Sequence, residues 1–168
     1  MRVRLMTIRD VYYVKECNRK NLSENYHLLF LTYMVTMYSE SCFVAENKKG
    51  EIVGYSIAKL KDYLEKDEVI PTDAISGYML SVAVDKAYRN RGLGKILFAA
   101  ALHGIIGVLR RKTPSFKVYL NVRPTNLSAI NMYESTFHFT KENEEESYYA
   151  DKENAFLMSR VFSIDEVK

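Results

Sequence analysis

Cysteine is scarce in this chain of 168 residues, which carries only Cys17 and Cys42. Neither sits in a Cys-x-x-Cys pair or beside a histidine cluster, so a zinc site and a disulfide framework are both excluded. His27, His103 and His138 follow no metal-ligand spacing, and no metal is expected. Long apolar runs are missing too. The start, MRVRLMTIRD, alternates charged and apolar residues and lacks the apolar core of a signal peptide. The most apolar stretch, from Gly92 to Leu109, is interrupted by Lys95, Gly94, His103, Gly104 and Gly107, which argues against a membrane span. A cytoplasmic protein without membrane contact is the expectation. An excess of charge of one sign is nearly absent: Lys plus Arg number 24 against 21 Asp plus Glu, a surplus of +3 that is too small to imply direct nucleic-acid binding. Repeats, linkers and low-complexity tracts are also lacking, and the length suits one domain spanning residues 1–168.

What is present is an α/β pattern. Arg2 to Met6 alternates like a strand, with Val3 and Leu5 on one face, and Asp10 stands where it can cap a helix through Val11, Val14 and Cys17. A polar loop, Leu22 to Tyr26, leads into a strongly apolar helix from Tyr26 to about Tyr38, wide enough in its apolar face to be buried on more than one side. Ser41 to Glu46 and Glu51 to Leu60 read as a hairpin across Asn47-Lys48-Lys49-Gly50. Lys61 to Ser76 is charged and aperiodic, a mobile surface excursion. Gly77 to Val84 is a strand. A helix follows from Gly92 to Arg111, with Leu93, Ile96, Leu97, Ala100, Ala101, Ile105 and Val108 covering the sheet and Gly104 and Gly107 permitting close backbone approach. Phe116 to Val122 is a strand, Asn126 caps a short helix through Tyr133, and Phe137 to Thr140 is a strand before a polar turn at Lys141 to Ser147. Ala155 to Phe162 closes the order β α α β β β α β α β β.

The segment Met79 to Lys95, MLSVAVDKAYRNRGLGK, joins strand, glycine-bearing loop and helix. Such a junction aims free backbone N–H groups and the positive end of a helix dipole at one point, which favours phosphate or pyrophosphate. The Arg-x-x-Gly-x-Gly spacing is not the dinucleotide fingerprint, and no Lys-Ser/Thr pair of a triphosphate loop follows. An ordinary capped helix with a basic start is the competing reading of this segment alone.

In that context, Arg89-Asn90-Arg91-Gly92-Leu93-Gly94 resembles the coenzyme A pyrophosphate loop of the GCN5-related N-acetyltransferase superfamily. Further segments are similar to protein N-terminal acetyltransferases of the NatA catalytic type and their archaeal relatives: Leu22-Ser23-Glu24-Asn25-Tyr26, Asn121 to Asn126 with Ala129 and Tyr133, and Tyr148-Tyr149-Ala150-Asp151. The resemblance implies a mixed, twisted sheet of about seven strands, splayed in a V between its central strands and covered by about four helices. It also implies acetyl-CoA as cosubstrate and polypeptide N-termini as acceptors, and it raises an auxiliary subunit or ribosome association as partners. Acetylation of lysine side chains or small amines, or a non-catalytic coenzyme A-binding regulatory subunit, are the alternatives.

Site residues follow from the resemblance position by position. Val82, Val84, Arg89, Arg91, Gly92, Leu93, Gly94, Lys95 and Asn126 are the implied cofactor contacts. Leu22, Glu24, Tyr26, Tyr148 and Tyr149 are implied around the peptide, and Glu24, Tyr78 and Tyr133 in catalysis. Tyr133 matches the tyrosine that protonates the leaving sulfur; a phenol with a pKa near 10 is protonated at neutral pH. Tyr78 stands where archaeal relatives carry histidine, and Asn121 where another branch pairs a histidine with such a tyrosine. Asn121 cannot accept a proton, so Glu24 and Tyr78, each through water, remain alternative general bases. Ser23 and Lys152 replace a usual proline and glycine, differences that bear on substrate preference.

Overall fold

The computed structural model describes residues 1–61 and 75–163. Its strands are β1 (Arg2–Leu5), β2 (Cys42–Glu46), β3 (Ile52–Leu60), β4 (Gly77–Val84), β5 (Ser115–Val122), β6 (Thr140–Glu145) and β7 (Ala155–Ser163). Its helices are α1 (Val11–Asn21), α2 (Leu28–Met37), α3 (Leu93–Leu109) and α4 (Leu127–Ser135). The element order is the one expected from the sequence. The strands form a mixed seven-stranded sheet in the order β1-β2-β3-β4-β5-β7-β6. The chain divides into two compact units, Met1–Lys59 with Leu80–Ile106, and Leu60–Met79 with Gly107–Lys168, so β4 contributes to both.

In the first unit β1, β2 and β3 are antiparallel, with Val3 opposite Ala45 and Val44 opposite Tyr55. Alternation along β2 sends Cys42 and Val44 into one core and Ala45 into another, since successive side chains leave opposite faces of a strand. The first core gathers Val11, Val14 and Cys17 of α1 and Leu31, Met34 and Val35 of α2; the second gathers Val53, Val84, Leu93 and Leu97. The hairpin turn forms as its sequence requires. Asn47 Oδ1 accepts from the N–H groups of Lys49 and Glu51, and Gly50 takes φ +80°, a left-handed value that costs glycine nothing.

Several expectations are corrected here. Asp10 does not cap α1 with its side chain; its carboxylate accepts from the Thr7 N–H and hydroxyl, and the Arg4 guanidinium binds both its oxygens at 2.7 and 2.8 Å. A fixed guanidinium is the stronger partner, so the capping role lost to an ion pair. Leu5 is half exposed on its edge strand. Helix α2 begins at Leu28, later than Tyr26, and buries one side only: Leu31, Met34 and Val35 are inside, whereas Leu29 is 85% exposed and Tyr33 and Met37 are half exposed. In α3, Ile96 is 54% exposed, while Phe98, Leu102, Ile106 and Leu109 join the buried set. A Cβ on Gly104 would lie 2.0 Å from the Glu40 carbonyl oxygen, so backbone approaches backbone there, but Gly107 has nothing within 4 Å and needs no such freedom. Of the expected excursion from Lys61 to Ser76, residues 62–74 lie outside the described residues.

In the second unit β4 runs parallel to β5, paired through Gly77↔Val118, Tyr78↔Tyr119 and Met79↔Leu120. Strand β7 lies antiparallel between β5 and β6. Phe116, Val118, Leu120 and Val122 are buried on one face of β5, with Lys117, Tyr119 and Asn121 on the other, a clean two-residue period. The rings of Phe116 and Phe162 stack at 5.9 Å. Strand β6 is a further correction: it occupies Thr140–Glu145, largely within the Lys141 to Ser147 run expected to be a polar turn, whereas Phe137 to Phe139, expected to be strand, lie before it. It is a solvent-exposed edge strand with no core to face, so it carries Lys and Glu where a buried strand shows alternation. Phe139, just before it, is the buried anchor. Among the described residues no helix is long and apolar enough to cross a membrane.

Candidate active site

The loop between β4 and α3 is held from its own ends. Asp85 N–H donates to the Val53 carbonyl of β3 at 2.9 Å. Because backbone groups alternate sides along a strand, Val84 and Val82 turn theirs away from β3. The Val84 carbonyl accordingly accepts from Arg89 Nε at 2.8 Å, and the same guanidinium reaches Asn21 Oδ1 at 2.9 Å. Asn21 Nδ2 in turn donates to Asp85 Oδ1 at 2.5 Å. Arg89 thus clamps the loop to the strand end and to the end of α1, with its charge kept beside the loop. Asn90 (φ 59°) and Gly92 (φ 77°) are left-handed and reverse the chain into α3. The first helical bond runs from Ile96 N–H to the Gly92 carbonyl, so the N–H groups of Leu93, Gly94 and Lys95 precede the ladder, at the positive end of a seventeen-residue helix. Arg91 lies over the Tyr88 ring at 5.9 Å, and Arg91 and Lys95 are exposed.

The loop Leu22 to His27 is fixed by a residue that sequence reasoning passed over. Asn18 is completely buried. Its Nδ2 donates to the Glu24 carbonyl at 2.8 Å and to the Tyr55 hydroxyl at 3.0 Å, and its Oδ1 accepts from the Tyr26 N–H at 3.1 Å. The Tyr55 hydroxyl shares a 2.8 Å bond with Ser81 Oγ on β4. Leu22 and Tyr26 pack on the α1–α2 core, with Tyr26 stacked on Phe30 at 5.2 Å, and Glu24 is partly buried. A signal for Asn18 existed: it falls on the Val11–Val14 stripe of α1, where an amide must be buried and therefore bonded.

In the second unit Tyr78 and Tyr148 come together. The Tyr78 hydroxyl donates to Asn121 Oδ1 at 2.8 Å and lies 3.1 Å from the Tyr148 hydroxyl. Asn121 Nδ2 donates to Glu145 Oε2 at 2.6 Å. The rings of Tyr148 and Tyr149 meet edge-on at 5.0 Å, and Tyr148 is 46% exposed. Arg123 lies over the Tyr149 ring at 3.9 Å and binds the carboxylates of Asp151, at 2.9 Å, and Glu153. Glu145 and Glu153 were not singled out from the sequence, and Arg123 entered there only as part of the Asn121 to Asn126 segment.

Helix α4 presents Tyr133, partly buried, with its phenol pushed up to about 12 by desolvation. Asn126 Oδ1 accepts from the Ala129 N–H at 3.3 Å and so caps α4 as expected. Burial, reinforced by Asp85, pushes the Cys17 thiol up to about 12, and burial alone does the same for Cys42. Neither is a nucleophile at neutral pH.

The sequence pattern of the Acetyltransferase (GNAT) family matches residues 3–139. The chain belongs to this family. Among curated proteins it is 35% identical, over 97% of its length and 86% of the relative's, to the N-terminal acetyltransferase A complex catalytic subunit ard1 of Schizosaccharomyces pombe. It is 34% identical, over 94% of its length and 91% of the relative's, to an N-alpha-acetyltransferase of Sulfurisphaera tokodaii. Among solved structures, a chain of the NatC complex bound to Gag peptide and CoA superimposes with a TM-score of 0.79 at 21% identity, covering 96% of this chain and 98% of that one, a likeness of fold. This GNAT chain is an acetyl-CoA-dependent N-acetyltransferase.

Proposed function

We propose that the chain transfers the acetyl group of acetyl-CoA to the α-amino group of a polypeptide N-terminus by direct attack in a ternary complex. The observation that carries the donor half is the Arg89-clamped loop, which delivers the leading N–H groups of α3 and the outward-turned backbone of β4 from one continuous segment. The acceptor half is supported by the names of the relatives, both N-terminal or N-alpha-acetyltransferases over most of the chain.

Acetyl-CoA supplies an activated thioester; the residues of the chain do the rest. The amides of Gly92 to Lys95 take the pyrophosphate, with Arg89, Arg91 and Lys95 adding positive charge. Val82 and Val84, whose backbone groups turn away from β3, offer strand backbone to the pantetheine arm. Asn126 contacts the cofactor while capping α4. Leu22, Tyr26, Tyr148 and Tyr149 line the path of the peptide. Glu24 accepts the amine proton through water, and an α-amino group, which titrates at about 8, asks less of a base than a lysine at about 10.4 would. Tyr133 hydrogen-bonds the departing sulfur and returns a proton to it; desolvation keeps that phenol protonated. The exposed α2 residues Leu29, Tyr33 and Met37 suit an auxiliary subunit, and ribosome association is a separate proposal read by co-sedimentation.

Incubation with labelled acetyl-CoA and peptides with free or blocked N-termini, followed by mass-spectrometric mapping, tests this reading. Label on α-amino groups is expected, and label confined to lysine side chains would overturn it. Tyr133→Phe and Glu24→Gln should each lower kcat while leaving coenzyme A affinity within about twofold.

A further inference from the structure

Six polar and aromatic side chains share one face of the second unit. Tyr78 pairs with Tyr119 on the neighbouring strand, Asn121 follows Tyr119 by two residues, Asn121 pairs with Leu157, and Glu145 pairs with Ala155, two residues before Leu157. The two-residue period therefore puts Tyr78, Asn121 and Glu145 on the same side of three consecutive pairings. The hydrogen bonds have a direction that chemistry fixes. A carboxylate only accepts, so Asn121 must turn its Nδ2 toward Glu145 at 2.6 Å, and its carbonyl oxygen is left facing Tyr78. That oxygen also only accepts, so the single proton of the Tyr78 hydroxyl goes to it at 2.8 Å. The 3.1 Å bond between the two phenols then has one possible donor, Tyr148.

We infer that Glu145 is a positioning residue that, through Asn121, locks Tyr78 as a hydrogen-bond acceptor toward the substrate amine. This rests on the proposed reaction at an α-amino group. With its proton committed to an amide oxygen, Tyr78 meets any partner as an acceptor, as it meets the Tyr148 hydroxyl here, and the substrate amine takes the place of that hydroxyl by donating an N–H. The same lock denies Tyr78 the role of general base, because its proton points at a group that cannot carry it onward. Lys61, half-buried over the Tyr119 ring at 3.9 Å, has its pKa lowered by burial, against which the charges of Glu145 and Glu142 act.

The test is a double-mutant cycle with Glu145→Ala and Tyr78→Phe, read as kcat and KM for both substrates. Each single variant is expected to lower kcat/KM for peptide about tenfold, the loss of one part-buried directional hydrogen bond, with KM for acetyl-CoA unchanged. In the Tyr78→Phe background, Glu145→Ala should change kcat/KM less than twofold, because it acts through the hydroxyl. Full additivity would overturn the proposal. So would loss of the acidic limb from the pH–rate profile of Tyr78→Phe, which makes Tyr78 the base. The side-chain amide of Asn121 gives a readout independent of activity: its NMR resonances should shift, and its exchange quicken, in Glu145→Ala. If wild type acetylates no N-terminus while these resonances respond, the proposed function fails and the lock stands. Unmoved resonances remove the lock itself.

Discussion

Replacing Asn18 with alanine leaves three groups to find new partners: the Glu24 carbonyl, the Tyr26 N–H and the Tyr55 hydroxyl. Each bond contributes about 1 kcal/mol net, so the loss is about 3 kcal/mol if the loop stays in place. For a chain of this size that lowers Tm by about 6 to 12 °C. Tyr55 keeps Ser81, but its hydroxyl is buried and cannot recruit bulk water, whereas Glu24 and Tyr26 stand near the surface and can. The loop therefore relaxes first. Urea unfolding measures the global loss, and hydrogen exchange at the Tyr26 amide measures the local one; both should respond, with KM for peptide rising more than KM for acetyl-CoA. Asn18→Asp separates geometry from donors, since it retains the acceptor for Tyr26 but loses both donations and buries a charge. A stability change below about 0.5 kcal/mol, together with unchanged Tyr26 exchange, would refute the assignment of Asn18 as the holder of this loop.

Gly104→Ala should destabilise by about 3 kcal/mol or more, because its Cβ meets backbone at 2.0 Å, whereas Gly107→Ala in open space should stabilise by about 0.5 to 1 kcal/mol; denaturant midpoints rank the pair. Asp10, held by Arg4 at a pKa of about 2 against an ordinary 3.8, contributes about 2 kcal/mol. This contribution is complete above pH 3.8 and disappears as pH falls through about 2, so the stability of Asp10→Asn should converge on wild type only in strong acid. Arg89→Lys cannot bond both Val84 and Asn21, and its affinity for coenzyme A by calorimetry should fall about tenfold while Tyr133→Phe leaves that affinity unchanged.

The order of elements was legible because most of the strands and all four helices carry a period or a breaker of their own. Asn47 to Gly50 announced a hairpin and Asn126 a helix start, and both do the local work their chemistry suggests. Strand β6 was not legible, since an edge strand facing water needs no apolar alternation and Lys141 to Glu145 therefore reads as a turn. The second face of α2 misled in the opposite sense, being apolar without being buried. At the candidate site, the glycine loop and the tyrosines could be picked out, but what holds them could not. Asn21, Arg123 and Glu145 act through partners between 24 and 68 positions away, and long-range pairing leaves no local mark, while Asn18 left only its place on the apolar stripe of α1.

The two outer strands of the sheet have a consequence for the life of the protein in concentrated solution. An unpaired strand edge is a template on which another chain can add, and flat, uncharged edges seed fibrils. Here β1 is four residues long and bears Arg2 and Arg4, and β6 is studded with Lys141, Glu142 and Glu144. Each incoming backbone would have to strip water from these charges before it could pair. The residues that disguised β6 as a turn are the ones that make its edge costly to pair.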